Sequence, residues 1–390
     1  MQVFRLTLLL AASAMASAQS QLPASPPAPP QAQQVWQMQD SGTTAGLRGI
    51  DSVDGTVAWA SGTDGTVLRT TDGGAHWLKC AVPDAAKDGA TLDFRGVQAW
   101  DAQTAIVMAS GPGEKSRLYK TTDGCKSWTL VFTNPDEDGF WDAIQFDGQQ
   151  DGMLLGDPVN RQFAIFITQD GGLSWKRQKS HGLKAKSSQD AIYAASNSSL
   201  VMFTALAHRF FVTGGSGGAF FIECHGELEV GGNPANVDCL RNPDQLPLAS
   251  GTKTSGAFSF DCRQLHSPYP GVIFKGGGGT YITYRDLIAV GGDYTKPNES
   301  SGTAAWSTDG GKHWTASTTP PHGFRSAVQW SEALKAWITV GTNGSDISRD
   351  DGKTWQPLDD GNWNALSLPY VVGPNGRIGR LNEAALPPAK

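Results

Sequence analysis

The chain has 390 residues, with 37 acidic and 31 basic side chains and a formal charge of −6. This mildly acidic balance leaves no basic stripe, which argues against nucleic acid as a partner. No segment beyond residue 20 is apolar for long enough to span a bilayer. The 47 glycines and 13 tryptophans suit many short strands joined by tight turns, with large rings wedged between sheets.

The first residues have the pattern of an export signal. Arg5 supplies a short positive region, residues 6–14 form an apolar core, and Ala16-Ser17-Ala18 fits a cleavage site. We therefore predict a cleaved signal peptide over residues 1–18 and a disordered tether rich in Pro, Gln and Ala over residues 19–34. The expected location of the protein is the periplasm or the cell exterior.

A short motif, Ser/Thr-x-Asp-x-Gly-x-x-Trp, recurs along the chain with a period of about 40 to 50 residues and one longer step, as in propeller repeats. One copy carries Cys125 in place of the glycine, and a decayed sixth copy is predicted at Thr213 to Phe220, with Gly215 in place of the Asp, within the longer step. The five recognisable copies are Thr70 to Trp77, Thr121 to Trp128, Thr168 to Trp175, Ser307 to Trp314 and Ser348 to Trp355.

The chemistry of this motif is that of a β-hairpin turn. An Asp carboxylate accepts hydrogen bonds from backbone N–H groups one to three residues on, and Gly supplies the positive φ that closes the turn. The hydroxyl pins the incoming strand, and the Trp ring packs against a neighbouring sheet. We therefore assign a structural role to the box aspartates Asp72, Asp123, Asp170, Asp309 and Asp350.

A second repeat precedes the boxes and consists of a polar or special residue, a small residue and an apolar residue. Small side chains suit innermost strands, which crowd around a central axis. With the Gly-ended runs that follow, the repeat predicts an all-β fold, a seven-bladed β-propeller of four-stranded antiparallel blades over residues 35–390. The seven copies begin at Arg48, Arg95, Asp142, Asp190, Gly256, Ser326 and Asn364.

The two ends of the predicted propeller, and two unusually long spacings between successive copies of the polar–small–apolar repeat, differ from the regular pattern. The last blade has too few residues for four strands, so residues 35–39 are predicted to pair with it, to close the ring and to cover an open edge. Insertions are predicted at about residues 222–255 and 263–284. Long loops inside a compact domain are often functional.

The polar–small–apolar repeats open the predicted inner strands, and we call them openings. Together with the Arg-Thr-Thr-Asp-Gly-Gly box at residues 69–74, they resemble the photosystem II stability/assembly factor family, an Asp-box (BNR-repeat) family of the sialidase-like superfamily. The resemblance implies a seven-bladed propeller that is exported and chaperones a membrane complex. The family's arginines match Arg48, Arg95 and Arg325. The chain departs from the family pattern at Asp142, Asp190 and Asn364, and in the inserted region.

The sequence thus predicts a non-catalytic scaffold, expected to be a monomer, that binds another exported or membrane protein. Its binding site is expected at the face where the innermost strands begin, with neighbouring rings supplying aromatic contact. No cofactor motif is present, and the histidines lack metal-ligand spacing. The predicted partner-binding residues are Arg48, Arg95, Asp142, Asp190, Arg325, Asn364, Trp141, Tyr193 and Trp363.

The alternative function is a glycoside hydrolase of sialidase-like type that acts on extracellular glycans. Such an enzyme needs two carboxyl groups roughly 5 to 10 Å apart. Asp142 and Asp190 occupy equivalent repeat positions and are the predicted pair in that case. A glycan partner is retained with this alternative.

Five cysteines in an oxidising compartment leave at least one thiol unpaired in a monomer. Cys224 and Cys239 are the predicted disulfide, whereas the sequence leaves open whether Cys80 meets Cys125. A zinc site that also uses Cys262 is disfavoured, because the spacing matches no compact pattern. No metal site is predicted.

Overall fold

The computed structural model describes residues 34–83, 92–178, 180–181, 183–203, 208–226, 237–266 and 282–388. Strands dominate these ranges, and the helices described in them are two short 3-10 helices, Gly113–Lys115 and Glu383–Ala385. Among the same residues, no helix has the length and apolar character needed to cross a membrane. The predicted signal peptide, and the tether up to residue 33, lie outside the described residues.

Four separate sheets each contain four antiparallel strands paired in sequence order. The first sheet comprises β2 (Leu47–Ser52), β3 (Ala58–Gly62), β4 (Val67–Thr70) and β5 (Leu78–Cys80). The second comprises β6 (Phe94–Ala99), β7 (Ala105–Ala109), β8 (Arg117–Thr121) and β9 (Thr129–Thr133). The third comprises β10 (Trp141–Asp147), β11 (Asp151–Val159), β12 (Gln162–Thr168) and β13 (Lys176–Arg177). The fourth comprises β24 (Ala327–Ser331), β25 (Ala336–Gly341), β26 (Gly344–Ser348) and β27 (Gln356–Asp359).

A fifth sheet joins the two ends of the described chain. Its C-terminal strands are β28 (Ala365–Ser367), β29 (Tyr370–Val372) and β30 (Ile378–Leu381), and β1 (Trp36–Gln39) lies antiparallel beside β30. Trp36 faces Leu381 in this register and Gln39 faces Ile378. The N-terminal strand therefore covers the edge of β30 that would otherwise be open.

The sixth sheet contains ten strands. A six-strand group, β14 to β19, and a four-strand group, β20 to β23, touch within it through one backbone pair, Gly214 of β17 and Gly256 of β20. A Cβ on Gly256 would lie 2.3 Å from the Gly214 Cα, so this approach requires glycine. The strands are β14 (Ser180–His181), β15 (Asp190–Ala191), β16 (Leu200–Phe203), β17 (His208–Gly215), β18 (Phe220–Gly226), β19 (Val237–Arg241), β20 (Ser255–His266), β21 (Ile282–Asp293), β22 (Ala304–Ser307) and β23 (Thr315–Ala316).

The predicted insertions fall in this sixth sheet and are partly strands. Within residues 222–255, β19 pairs with β18, and Cys224 stands opposite Cys239. Within residues 263–284, β20 and β21 pair as far as His266 and Ile282. The loop expectation was wrong for these parts, because each stretch extends a neighbouring strand. Residues 227–236 and 267–281 lie outside the described residues.

Each box closes the hairpin between the third and fourth strands of its sheet. In the first box, Thr70 Oγ1 donates to Asp72 Oδ1 over 2.9 Å and accepts from the Gly74 N–H over 2.9 Å. Asp72 Oδ1 also accepts from the His76 N–H over 3.0 Å. The bonds from the His76 backbone and side chain lower the pKa of Asp72 to about 2. The carboxylate thus reaches four residues along the chain, further than the one to three expected.

The decayed stretch Thr213 to Phe220 belongs to a different hairpin. It connects β17 to β18, which are the second and third strands after the interrupted inner strand β15–β16. The five recognisable boxes instead connect a third strand to a fourth. Interpreting this stretch as a sixth box was therefore wrong about its topology.

The box tryptophans pack against the adjacent sheet, as the motif predicts. Trp77 of the first sheet lies edge to face with Tyr370 of the fifth, with ring centroids 5.9 Å apart. Trp128 of the second sheet contacts Trp59 of the first at 6.2 Å. Aromatic pairs of this kind contribute about 0.5–1.5 kcal/mol beyond their buried area.

Adjacent sheets are also linked by hydrogen bonds in which a backbone N–H of one sheet donates to a polar side chain of its neighbour. These bonds satisfy backbone groups that no strand pairing reaches. The acceptor and donor pairs are Asp51 with Ala99 at 2.7 Å, Asp261 with Trp330 at 2.8 Å, Gln329 with Leu368 at 2.8 Å and Ser367 with Ser52 at 2.9 Å.

Two disulfides are present among the described residues. Cys224 is bonded to Cys239 within the ten-stranded sheet, and Cys80 is bonded to Cys125 between the first and second sheets. Cys262 is free and buried. The thiols of Cys224 and Cys239 are therefore not available as metal ligands.

Candidate functional site

The polar residue of the polar–small–apolar repeat coincides with a β-bulge. In the pairing of β2 with β3 the register shifts between Leu47 and Gly49, which leaves Arg48 out of the ladder. The same shift leaves out Arg95 in the second sheet and Asp142 in the third. Because a bulge re-aims a side chain, these three side chains leave the sheet surface and line one cavity.

This cavity, which we call the face cavity, has a volume of about 420 Å³. Its lining includes five of the residues predicted for the partner site, namely Arg48, Arg95, Asp142, Tyr193 and Asn364. They come from separate segments of the chain, which the packing of the sheets brings together.

Two arginines at the cavity share a single carboxylate. Arg48 Nε lies 3.4 Å from Asp93 Oδ1, and Arg95 Nε lies 2.8 Å from Asp93 Oδ2. The arginine side chains remain 36% and 28% exposed, respectively. Two guanidinium groups against one carboxylate leave an excess of one positive charge at the cavity entrance.

A pair of carboxyl groups lies deeper in the same cavity. Asp142 is 1% exposed, and Asp157 follows Gly156 at a register shift between β11 and β12. Burial raises the pKa of Asp157 to about 6. Burial, and next the nearby Asp157 carboxylate, raise the pKa of Asp142 well above its ordinary value, whereas Arg95 opposes this shift. Of the two carboxyl groups, Asp142 is the more buried, and its charged form is disfavoured both by burial and by the Asp157 carboxylate.

The cavity floor is formed by an interruption of the inner strand in the ten-stranded sheet. The sequence predicts a strand opening at Asp190, but β15 ends at Ala191 and the inner strand resumes only at Leu200. Residues 192–199, which we call the crossing segment, leave the sheet between these points. The first part of the segment lines the face cavity, and Ser196, Asn197 and Ser198 line a second cavity of about 200 Å³.

Side chains of the crossing segment bond to the inner strands of other sheets. This explains why the segment lies between those strands rather than in its own sheet. Asn197 makes paired bonds with the backbone of Ile144 in β10, and the two serines reach β20 and the residue before β24. The bonds are Asn197 Oδ1 from Ile144 N at 2.8 Å, Asn197 Nδ2 to Ile144 O at 2.9 Å, Ser198 Oγ to Ser259 Oγ at 2.7 Å and Ser196 Oγ to Ser326 O at 2.7 Å.

The charged residues of the face cavity also hold the crossing segment. Asp157 Oδ1 accepts from the Ile192 N–H over 2.9 Å, and Arg95 Nη1 donates to the Ala194 carbonyl over 3.4 Å. Hydrogen bonding from the Ala194 backbone also acts on Asp142. Substitution of Arg95 or Asp142 would therefore disturb the segment as well as the cavity. Arg48 makes no such contact among the described residues.

Four aromatic residues, which we call the aromatic wall, also line the cavity. Tyr193 stacks on Phe258 with ring centroids 3.9 Å apart, and Tyr294 meets both rings edge to face. Phe324 packs edge to face on Phe258 at 4.8 Å. The Tyr193 hydroxyl donates to the Ser255 carbonyl over 3.0 Å, which fixes the ring. Tyr294 is 48% exposed, so the wall reaches the protein surface.

Four residues predicted for the site lie away from the cavity surface. Arg325 is fully buried and paired with Asp346, because its sheet provides an internal carboxylate. Trp141 and Trp363 are fully buried and pack in the core, so they offer no aromatic contact to a partner. Asp190 is 6% exposed, does not line the face cavity, and accepts from the Lys186 N–H over 2.6 Å. The inference that these four side chains face a partner was wrong.

The arrangement of acids also differs from the predicted catalytic pair. Asp142 and Asp190 do not share the face cavity, and the carboxyl group beside Asp142 is that of Asp157. Among the described residues, no group of three or more His, Cys, Asp or Glu side chains could hold a metal ion.

The sequence predicted Tyr193 of the aromatic wall but not Asp93, Asp157 or the wall residues Phe258, Tyr294 and Phe324. Asp93 precedes the Phe94-Arg95 opening by one residue, and Asp157 follows the Gly-ended run at Gly156. Each of these aspartates is adjacent in sequence to a repeat feature, so the residues next to the repeats carry the signal that identifies them. Tyr294 carries no repeat signal, since it lies in a turn after β21.

Comparisons with known proteins agree on the class of fold. The chain covers 97% of a solved structure titled "YCF48 bound to D1 peptide", with a TM-score of 0.54 and 17% identity over 90% of this chain. YCF48 from Cyanidioschyzon merolae gives a TM-score of 0.52 at 20% identity, with 90% of this chain and 99% of that chain covered. The WD40 propeller domain of Doa1 gives 0.52 at 10% identity, with 90% and 98% covered. This is an all-β protein with a propeller fold.

Sequence comparisons then give the kind of propeller. The model of the family described as "Photosynthesis system II assembly factor YCF48" matches residues 28–183, less than half of the chain. Photosystem II assembly lipoprotein Ycf48 of Synechococcus sp. (strain CC9902) is 27% identical over 36% of this chain and 39% of its own length. The chloroplastic stability/assembly factor HCF136 of Oryza sativa subsp. japonica is 26% identical over 30% of this chain and 26% of its own. The resemblance to the photosystem II stability/assembly factor family is confirmed, and the matches span well under half of these relatives.

Proposed function

We propose that the chain is a non-catalytic propeller scaffold that binds another exported or membrane protein at the face cavity. The observation that carries this proposal is the Arg48–Asp93–Arg95 cluster, which presents two guanidinium groups against one carboxylate. Guanidinium groups bind carboxylates in a planar, bidentate manner, so an acidic segment of the partner fits this entrance.

The names of the relatives support the proposal. The curated relatives are called assembly factors, and one solved relative is described as bound to a D1 peptide. A peptide or membrane-protein segment is therefore a reasonable occupant of this face. Names such as lipoprotein and chloroplastic fit an exported location. We propose that this chain is exported through a cleaved signal peptide at residues 1–18, that residues 19–34 form a tether, and that the protein acts as a monomer.

We also propose seven blades over residues 35–390. The five four-stranded sheets count as five blades, and the ten-stranded sheet counts as two when divided between Gly214 and Gly256. The pairing of β1 with β30, and the bond from Ser52 N–H to Ser367 Oγ, favour closure of the ring between its two ends. Extensions at about residues 222–255 and 263–284 distinguish the two blades of the ten-stranded sheet.

The hydrolase alternative has weaker support. Its predicted acid pair, Asp142 and Asp190, is not on one cavity, and the relatives carry the names of assembly factors. A glycan partner remains part of this alternative only. Turnover of aryl glycosides or sialosides by the wild type, lost in Asp142→Asn, would replace the scaffold proposal.

A single charge reversal tests the scaffold function. Arg48→Glu changes the entrance without touching the crossing segment, whereas Arg349→Glu reverses an exposed arginine that does not line the face cavity and serves as the control. The immobilised variants are incubated with detergent-extracted membranes and with the periplasmic fraction, and retained proteins are quantified by mass spectrometry. We expect a protein held by the wild type and by Arg349→Glu to be lost with Arg48→Glu. Retention that is equal in all three proteins would contradict the proposal.

A further inference from the structure

The carboxyl pair of the face cavity has a feature that the scaffold function does not use. Asp142 is 1% exposed, and its Oδ2 is buried without a hydrogen-bond partner in the protein. Asp157 lies beside it and raises the pKa of Asp142 by like-charge repulsion, after the larger effect of burial. Buried polar groups are normally satisfied, and two adjacent acids are stabilised by a positive charge between them.

The positive charges already at the cavity are occupied elsewhere. Arg48 and Arg95 both face Asp93. Arg95 also donates to the Ala194 carbonyl, and its guanidinium lies 5.9 Å from the centroid of the Phe140 ring. The acid pair is therefore only partly balanced by protein cations.

The rest of the lining suits an organic group. The rings of Phe140, Tyr193, Phe258, Tyr294 and Phe324 border the same cavity of about 420 Å³. Aromatic rings attract cations through their negative faces and also cover the apolar stem of a ligand. A carboxyl pair within an aromatic enclosure therefore selects an organic cation rather than a hydrated metal ion.

We propose that the face cavity binds a primary ammonium group carried on an apolar body. The ammonium N–H groups bond to Asp142 and Asp157, and the apolar body packs against the aromatic wall. A quaternary ammonium group fits less well, since it offers no N–H donor to Asp142 Oδ2. Both a free alkylamine and a lysine side chain of a protein have this chemistry. The inference goes beyond the scaffold function, because it concerns a site of opposite charge that can be measured without any partner protein.

Isothermal titration calorimetry with 2-phenylethylammonium tests the site. We expect binding at least about tenfold tighter than for the neutral isostere 2-phenylethanol, the factor typical of a hydrogen bond to a charged group. Tetramethylammonium should also bind at least about tenfold more weakly. Equal binding of the amine and the alcohol, or no binding of the amine at millimolar concentration, would overturn the proposal.

Isosteric variants locate the binding. Asp142→Asn should weaken amine binding about tenfold or more. Asp261→Asn is the matched control, because Asp261 is also a buried inner-strand aspartate but lines the other cavity. Should Asp142→Asn fail to fold, Asp157→Asn and Tyr294→Leu provide the same comparison at the acid pair and at the exposed edge of the wall. Unchanged affinity in the variants that fold contradicts the assignment.

Proton release on binding is a further test of the acid pair, because a variant that merely distorts the cavity would weaken the affinity without changing the number of protons released per bound amine. Asp142, which faces Asp157, Arg95 and the crossing segment, should lose its proton when a cation binds. Titrations in buffers of different ionisation enthalpy should therefore show more proton release for the wild type than for Asp142→Asn. Nα-acetyl-lysine methylamide and its norleucine analogue identify the source. Preference for the lysine compound over 2-phenylethylammonium indicates a protein side chain, and the reverse indicates a free amine.

Discussion

The second sheet and the strands from β15 to β19 start from the same repeat but adopt different structures. In the second sheet the opening at Arg95 leads into an unbroken inner strand, and a box with Cys125 in place of its glycine closes the last hairpin. In the β15–β19 group the inner strand breaks after Ala191, and the box-like stretch with Gly215 lies on another hairpin. The second sheet, which has a box, is regular. The crossing segment, which lines the face cavity, comes from the β15–β19 group, whose box-like stretch is decayed.

This difference shows where the fold leaves room for a site. A box bonds its own turn through a hydroxyl and a carboxylate, so its hairpin is determined locally. The crossing segment is held instead by distant strands, through Asn197, Ser196 and Ser198. Its conformation depends on those strands being in place. The floor of the face cavity is thus tertiary in origin.

Removal of the disulfides should cause the largest losses in the free energy of unfolding. One disulfide joins the second sheet to the first and the other lies in the β15–β19 group, so the two losses can be compared. Cys80–Cys125 joins two sheets across a separation of 45 residues, and Cys224–Cys239 joins paired strands across 15. By loop-closure entropy, Cys80→Ala with Cys125→Ala should lower the free energy of unfolding by about 4 kcal/mol, against about 3 kcal/mol for Cys224→Ala with Cys239→Ala. Denaturant unfolding measures both, and a larger loss in the second pair would argue against this ranking.

A smaller effect is expected from the box hydroxyl. Thr70→Val removes the acceptor of the buried Gly74 N–H and should cost about 1–2 kcal/mol. Thr213→Val is the matched control, because it alters a buried threonine in the stretch where Gly215 replaces the aspartate. Equal losses in the two variants would mean that the box adds nothing beyond an ordinary buried hydroxyl.

Counted per pH unit, the smallest change in the free energy of unfolding should come from the titration of buried aspartates. Burial raises the pKa of Asp51 and Asp261 to about 6, above the unfolded value of 3.8. Between these values the native state binds protons that the unfolded state lacks, so stability falls as pH rises from about 4 to about 6. Each group contributes at most about 1.4 kcal/mol per pH unit.

The box carboxylates change the stability with pH in the opposite direction, because their pKa values are lowered by folding. Asp72 and Asp123, with pKa lowered to about 2 by hydrogen bonds from His76 and Ser127 respectively, lose their contribution only as pH falls below about 4. Thermal melts from pH 8 to pH 3 should therefore show maximal stability near pH 4 to 5. Asp261→Asn should flatten the upper part of this profile, and an unchanged profile would refute the assignment.

By itself, the sequence determined the features that depend on neighbouring residues. The all-β class, the box hairpins and the openings at Arg48, Arg95 and Asp142 follow from local chemistry repeated in phase. Turn hydrogen bonds and bulges involve residues only a few positions apart, so their pattern is visible in the chain.

Only the tertiary structure decided which side chains share a cavity. Arg325 resembles Arg48 in its motif, but it is fully buried and forms an ion pair with Asp346 of β26 in the same sheet. Asp142 meets Asp157 rather than Asp190, because the inner strand at Asp190 breaks and its chain crosses to other sheets. The exposure and the pairing of a side chain depend on residues far apart in sequence. The packing of the sheets brings those residues together, and a local repeat carries no information about that packing.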